Sequence, residues 1–232
     1  MNVVKDSAYY QRHKLVITRH QKGADDFAAA LSAANPHIMT LHQPVITIEH
    51  FPLNLAPDES RAALITTSKR GDEAAQRAGL RAHYGINSAK GIDDVGALIS
   101  DIQARHHVDT PLLYLRGHDI SFDLSHELRM AGFTIGEKIV YRALPASALC
   151  DAFIAALKNG EIAYITFFSP RSAKIFEQLI VDAGLSTYIA PIKALCLSAP
   201  VLNSLQDALW QDRLICKNKT MASMTALVES LF

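Results

Sequence analysis

Pro111-Leu112-Leu113-Tyr114-Leu115, followed by Ile120, Leu124 and Leu128 at steps of four and then by Gly132, decides the fold class. An uncharged run opened by proline suits a strand buried on both faces. The i, i+4, i+8 spacing puts three apolar side chains on one helical face, and the glycine after them is a C-terminal stop. A strand that is apolar on both sides and feeds an amphipathic helix is the repeating unit of a parallel α/β sheet.

The same unit recurs in both directions along the chain. Leu15 to Thr18 precedes a helical stretch with Phe27 and Leu31 on one face, and Ala63 to Thr66 precedes an Ala-rich helix ending at Gly79. Ile162 to Phe168 leads into Ile175, Phe176, Leu179 and Ala183, closed by Gly184. Ala194 to Leu197 leads into Leu202, Leu205 and Leu209, and Arg213 to Cys216 into Met224, Leu227, Val228 and Leu231. About ten strands exceed a typical sheet of ~5–6, so two α/β lobes are more economical. Leu41–His50 and Thr134–Tyr141 are β-rich, alternating and not followed by a strong helix, and read as the two connections between lobes. One lobe is then residues 1–44 plus 141–232, and the other is residues 45–140, inserted. Two such connections predict a hinge.

The chain has 232 residues, 49% of them hydrophobic and 20% charged, which fills a core and excludes disorder. Lys+Arg and Asp+Glu are both 23, so nothing in the bulk charge draws a nucleic acid. No apolar run reaches the ~20 residues of a membrane span. Met1 to Lys14 is polar, without the apolar core of a secretory signal, and reads as a loose start or a tag remnant. Three cysteines, Cys150, Cys196 and Cys216, form no CxxC pair and fit a reducing cytoplasm. Neither HExxH nor any phosphate loop, dinucleotide fingerprint or GxSxG elbow is present, so metal, nucleotide and serine-hydrolase chemistry have no support.

Ligands of open α/β sheets sit beyond the C-terminal strand ends. Those ends read Thr18-Arg19, Thr67-Ser68, Arg116-Gly117, Ser169-Pro170-Arg171-Ser172 and Ser198. A single Ser or Thr at such a junction is more often a helix cap, and a single Arg more often a surface group. Tyr141, alone, is more often a packing residue. Arg171, however, stands in a first helical turn, where a cation opposes the helix dipole and an anionic ligand would give it a purpose. Five such ends together suit a polyanion, and from the residues alone the reading stops at a two-lobed binder of a small polyacid.

Leu113-Tyr114-Leu115-Arg116-Gly117 with Asp119, Ala131-Gly132-Phe133 and Val140-Tyr141-Arg142 resembles the middle of uroporphyrinogen-III synthases. Ile165 to Ala173 resembles their FFSPRSA segment, Leu15 to Arg19 their LVTR strand, Leu64 to Ser68 their TS strand, and Gly71 to Ala75 their VGxxTA turn. The resemblance runs in order from residue 14 to the C-terminus. Ala74, His20 and Ser198-Ala199 depart from it.

The resemblance implies two flavodoxin-like parallel-sheet lobes joined by a two-stranded β-ladder, with substrate held in the cleft between them. It implies a cofactor-independent lyase that cyclises hydroxymethylbilane to uroporphyrinogen III, inverting ring D and losing water. Tyr141 then corresponds to the tyrosine that assists departure of the hydroxyl. Thr18, Arg19, Ser68, Arg116, Gly117, Arg142, Ser169, Arg171, Ser172 and Ser198 fall where the family contacts carboxylates. Beyond substrate and product, the expected partners exclude nucleic acid and membrane. A monomer is expected, open at most to transient contact with the preceding enzyme. A binder of a small polycarboxylate without catalysis is the alternative.

The family's pattern also implies a helix and a strand, roughly 25 residues with their loops, between the TS strand and the VGxxTA turn. Here Ser68 is two residues from Gly71. Losing such a unit would expose a sheet interior, so the expectation is a break in the chain between Ser68 and Gly71, with a Cα separation well above ~3.8 Å.

Overall fold

The structure, a computed structural model, describes residues 13–57, 59–85, 95–120 and 122–232. The polar start of the chain therefore lies, through residue 12, outside the described residues. In chain order the elements begin with β1 (Lys14–Ile17), α1 (Gln21–Ala34), β2 (Thr40–His42), β3 (Ile46–His50), β4 (Ala63–Thr66) and α2 (Lys69–Arg77). Next come β5 (Tyr84–Gly85), α3 (Val95–Arg105), β6 (Leu112–Gly117), α4 (Leu124–Met130), β7 (Ile135–Pro145) and α5 (Asp151–Lys158). The chain closes with β8 (Ile162–Phe167), α6 (Pro170–Asp182), α7 (Ser186–Ile189), β9 (Lys193–Cys196), α8 (Ala199–Leu202), β10 (Asp212–Ile215) and α9 (Met221–Glu229). It divides into two compact units, Met1–Thr47 with Pro145–Phe232, and Ile48–Leu144.

The first unit holds a parallel sheet ordered β10-β9-β8-β1-β2. By order of appearance this is 2-1-3-4-5, a doubly wound arrangement. Alternation along β1 explains both covered faces. Leu15 and Ile17 pack with Phe27 and Leu31 of α1 and Met224 and Val228 of α9, while Val16 joins Phe153 of α5 and Phe176 of α6 on the other side. The stop expected at Gly184 is there, with φ +67.

One expected helix is absent. Leu202, Leu205 and Leu209 do not share one, because α8 ends at Leu202 and Asp207–Leu209 is a separate 3₁₀ turn. Buried Glu177 of α6 is the cause: it accepts the Gln206 backbone N–H at 2.9 Å and the Trp210 indole N–H at 2.7 Å. That anchor takes a backbone donor a longer helix would need.

The second unit holds a mixed sheet ordered β3-β7-β6-β4-β5. Its β4/β5, β4/β6 and β6/β7 pairs are parallel. β3 runs against β7: the Phe51 N–H donates to the Val140 carbonyl at 3.0 Å, and just beyond the strand the Ala146 N–H donates to the Val45 carbonyl at 2.9 Å. Leu41–His50 contains the boundary between the units, at Thr47/Ile48, and is built from the end of β2 and then β3, while β7 is an interior strand as well as a crossing.

Two further expectations are corrected here. Ile120 does not belong to the helix of Leu124 and Leu128, because the Asp123 side chain caps α4 by accepting the His126 N–H at 2.9 Å, and Ile120 lies in the loop before it, 43% exposed. Nor is the chain broken between Ser68 and Gly71. Ser68 is the N-cap of α2: its Oγ accepts the Gly71 N–H and its carbonyl accepts the Asp72 N–H, both at 3.1 Å. β4, α2 and β5 are the unit that the resemblance set apart from this turn, so no helix or strand is missing there. Gly71 is a close-approach residue instead. A Cβ on it would stand 3.0 Å from the Leu115 carbonyl oxygen and 3.2 Å from Thr66 Cβ, so its absence lets α2 settle on the sheet.

Candidate active site

A bulge aims the central side chain of the second unit. Arg116 pairs with Ile139, but the next residue, Gly117, pairs with Tyr141, so the register of β6 against β7 slips by one. Such an extra residue turns a strand and redirects its side chains. The Tyr141 ring is thereby laid across Gly117, where a Cβ would stand 2.7 Å from Tyr141 Cζ. Its hydroxyl is 3.1 Å from Ser68 Oγ. Ser68 Oγ already accepts the Gly71 N–H, so its own proton can go to Tyr141 and leave the phenol proton for a ligand.

The neighbouring residue repeats the arrangement. Thr67 Oγ1 lies 2.6 Å from the Tyr114 hydroxyl. Burial pushes the Tyr114 phenol above its ordinary value of 10, against the hydrogen bond to Thr67, so it stays protonated. Thr67, Ser68, Tyr114, Gly117 and Tyr141 line one cavity of about 280 Å³, with Asp119, Ile120 and Phe122 along its loop side. It lies at the C-terminal ends of β4 and β6, where an α/β sheet presents its ligand site. Beside it, the Arg70 guanidinium sits 5.7 Å from the centre of the Tyr141 ring. Arg70 Nε is buried without a hydrogen-bond partner among the described residues.

The remaining sequence candidates separate into two kinds. Arg19 lies across the first unit's strand ends, its guanidinium 4.8 Å from the Phe168 ring centre and its Nη1 3.0 Å from Met221 Sδ. Ser169 caps α6 by accepting the Ser172 N–H at 3.1 Å, with the two hydroxyls 2.9 Å apart, and Arg171 occupies the same first turn. Arg171 also borders a second, more open hollow with Pro145, Pro170, Lys174 and Ile175. Ser198 stands at the N-cap of α8, making no capping bond with its side chain.

Two candidates do not present their groups to a ligand. The Thr18 side chain is buried, 1% exposed, and donates to the Thr166 carbonyl at 2.7 Å inside the sheet. Arg116 is held by Glu137 at 2.6 Å and by the carbonyl of Gly117 at 3.0 Å. Both serve the fold, because a strand-end hydroxyl and a cation beside a carboxylate find partners within it first. Arg142 pairs with Glu49, opposite it on β3, and overlies the Phe51 ring at 5.7 Å. Among the described residues, no cluster of His, Cys, Asp or Glu could hold a metal ion, and no helix is long and apolar enough to cross a membrane.

A family model, HEM4, described as uroporphyrinogen-III synthase HemD, matches residues 54–226. The chain belongs to the uroporphyrinogen-III synthase family. The fold agrees with that membership. A crystal structure of uroporphyrinogen-III synthetase from Helicobacter pylori superposes with a TM-score of 0.58 at 16% identity, over 95% of this chain and 100% of that one. Wild-type uroporphyrinogen III synthase from the extremely thermophilic bacterium Thermus thermophilus gives 0.43 at 16% identity, over 95% and 100%. No curated protein matches in sequence. Family and fold together support a role in tetrapyrrole biosynthesis.

Sequence reasoning missed three residues of the cavity's surroundings. Tyr114 sits inside an apolar strand, where a phenol must find a partner, and that requirement was its signal. Arg70 stands in the first turn of α2, where the dipole argument applied to Arg171 holds equally. Phe122, 42% exposed, carries no signal in the sequence.

Proposed function

We propose that this chain cyclises hydroxymethylbilane to uroporphyrinogen III with inversion of ring D and loss of water. The observation that carries the reading is the Tyr141 hydroxyl, fixed over Gly117 and 3.1 Å from Ser68 Oγ, so that when Ser68 donates, the phenol proton is left for the cavity. The substrate carries eight carboxylates and a hydroxymethyl group; loss of its hydroxyl leaves a methylene cation shared with the pyrrole nitrogen. Tyr141 donates its proton or a hydrogen bond to the departing oxygen, the C–O bond breaks, and water leaves.

Closure through the substituted carbon of ring D then competes with direct closure, which the free substrate prefers. The protein's task is to hold the chain for the first path, and orientation can contribute up to ~7–11 kcal/mol in well-aligned systems. Beside the Tyr141 ring, the Arg70 guanidinium is a cation for one of those carboxylates. The reaction needs no cofactor on this reading, and the chain acts as a cytoplasmic monomer. Incubation with hydroxymethylbilane, oxidation, and separation of the type I and type III isomers tests it. Enrichment of type III over the protein-free control supports the reading; an isomer mixture equal to the control overturns it.

A further inference from the structure

The cavity that holds Tyr141 contains a second phenol for which the proposed reaction has no direct use. Tyr114 is 3% exposed, in the middle of β6, with its ring in the core that faces Leu98, Ile102 and Leu128. Its hydroxyl makes its hydrogen bond to Thr67 Oγ1, at 2.6 Å. Thr67 follows the end of β4 and lines the same cavity as Tyr141.

The direction of that bond follows from what each group can do. Either hydroxyl can donate; if Thr67 did, the proton of Tyr114, 3% exposed, would depend on an acceptor arriving in the cavity that it borders. If Tyr114 donates, its proton is satisfied and the Thr67 oxygen is used as an acceptor. The threonine hydroxyl has a single proton, which is then turned away from the core toward the cavity. The phenol keeps its proton at working pH, because burial disfavours the phenolate.

We infer that Tyr114 is a positioning residue: by donating to Thr67 it aims the threonine proton into the cavity, as a second donor beside Tyr141, for a carboxylate oxygen of the bound tetrapyrrole. The inference rests on the function proposed above and deepens it. Thr67 and Ser68 are consecutive, and each is joined to a different tyrosine, Tyr114 through β6 and Tyr141 through β7. With the Ser68 proton given to Tyr141, Thr67 and Tyr141 are the two donors on one cavity, one for each oxygen of a carboxylate. The effect of Tyr114 passes wholly through Thr67, and that makes the inference testable.

Binding of uroporphyrin III, the oxidised octacarboxylate, is followed by its fluorescence in Tyr114→Phe, Thr67→Val, Thr67→Ser and the Tyr114→Phe/Thr67→Val double variant. Loss of one neutral donor should weaken binding about five- to tenfold in Tyr114→Phe and in Thr67→Val. The double variant should bind no worse than Thr67→Val alone, while Thr67→Ser, which keeps the hydroxyl, should bind like the parent. Melting temperature reports folding in parallel, and if Tyr114→Phe fails to fold, the contrast of Thr67→Val with Thr67→Ser decides. Parent-like binding by a folded Tyr114→Phe, or losses that multiply in the double variant, overturns the inference and leaves the proposed function standing. A parent protein that binds no uroporphyrin III overturns both.

Discussion

The Tyr141 ring rests on Gly117 with no room for a single added carbon: a Cβ there would stand 2.7 Å from Cζ and 2.8 Å from the hydroxyl oxygen. The two residues face each other because β6 and β7 slip register between Arg116 and Gly117. Backbone geometry therefore fixes where the phenol points, and a glycine is what permits it.

Gly117→Ala should displace the ring and lower type III formation at least as far as removing the hydroxyl does. Overpacking of this kind destabilises by about 1–3 kcal/mol, which denaturant unfolding would read. A folded Gly117→Ala protein with parent activity would show that the seat of Tyr141 is immaterial.

Arg116→Gln should act on stability and not on ligand affinity. Burial raises the Glu137 carboxyl, but hydrogen bonds from Arg116 and Arg129 outweigh it and hold the group below its ordinary value of 4.5. A lowered carboxyl contributes stability above its unfolded value and loses it as pH falls through the folded one. The variant should therefore lose about 1–2 kcal/mol at neutral pH. The difference should fade below pH 4.5. Unfolding curves at several pH values check this, and a weakened affinity for uroporphyrin III with unchanged stability would contradict it.

Glu177 behaves in the opposite sense. Burial pushes its carboxyl up, more than the Trp210 indole and the Gln206 amide lower it. The protonated form thus supports folding below the unfolded value, and that support is lost as pH rises through the folded one. Glu177→Gln keeps the accepting oxygen without the charge, so its melting temperature relative to the parent should rise as pH increases from about 4.5. Glu177→Ala strands the buried Trp210 indole N–H and should destabilise by about 1–3 kcal/mol, with a smaller loss from the part-buried Gln206 N–H. Parallel melting curves of parent and Glu177→Gln across that range would contradict the assignment.

Much of this architecture is legible in sequence because burial on both faces leaves a local mark. β4, β6, β8 and β9 are apolar runs, and Gly79, Gly132 and Gly184 after their helices all have positive φ. What stays hidden depends on partners far along the chain. The broken helix after β9 is set by Glu177, roughly 30 residues earlier, and the burial of Thr18 by the carbonyl of Thr166. Ile120 matches the helical period and misses the helix, since the Asp123 cap overrides spacing. In the cavity, Tyr141, Gly117 and Ser68 are readable as motif residues. Tyr114 and Arg70 become visible only when the fold shows what their polar atoms touch.

The central claim is that the Tyr141 hydroxyl assists the loss of water that starts cyclisation, and Tyr141→Phe measured beside the parent tests it most directly. Both proteins are given hydroxymethylbilane, and the rate of type III formation is followed together with the melting temperature. The parent should enrich type III over the protein-free control, and the variant should form it more slowly by a factor of ten or more, roughly what a lost proton donor implies. Its melting temperature should stay within a few degrees. Equal type III rates in the two folded proteins would contradict the account.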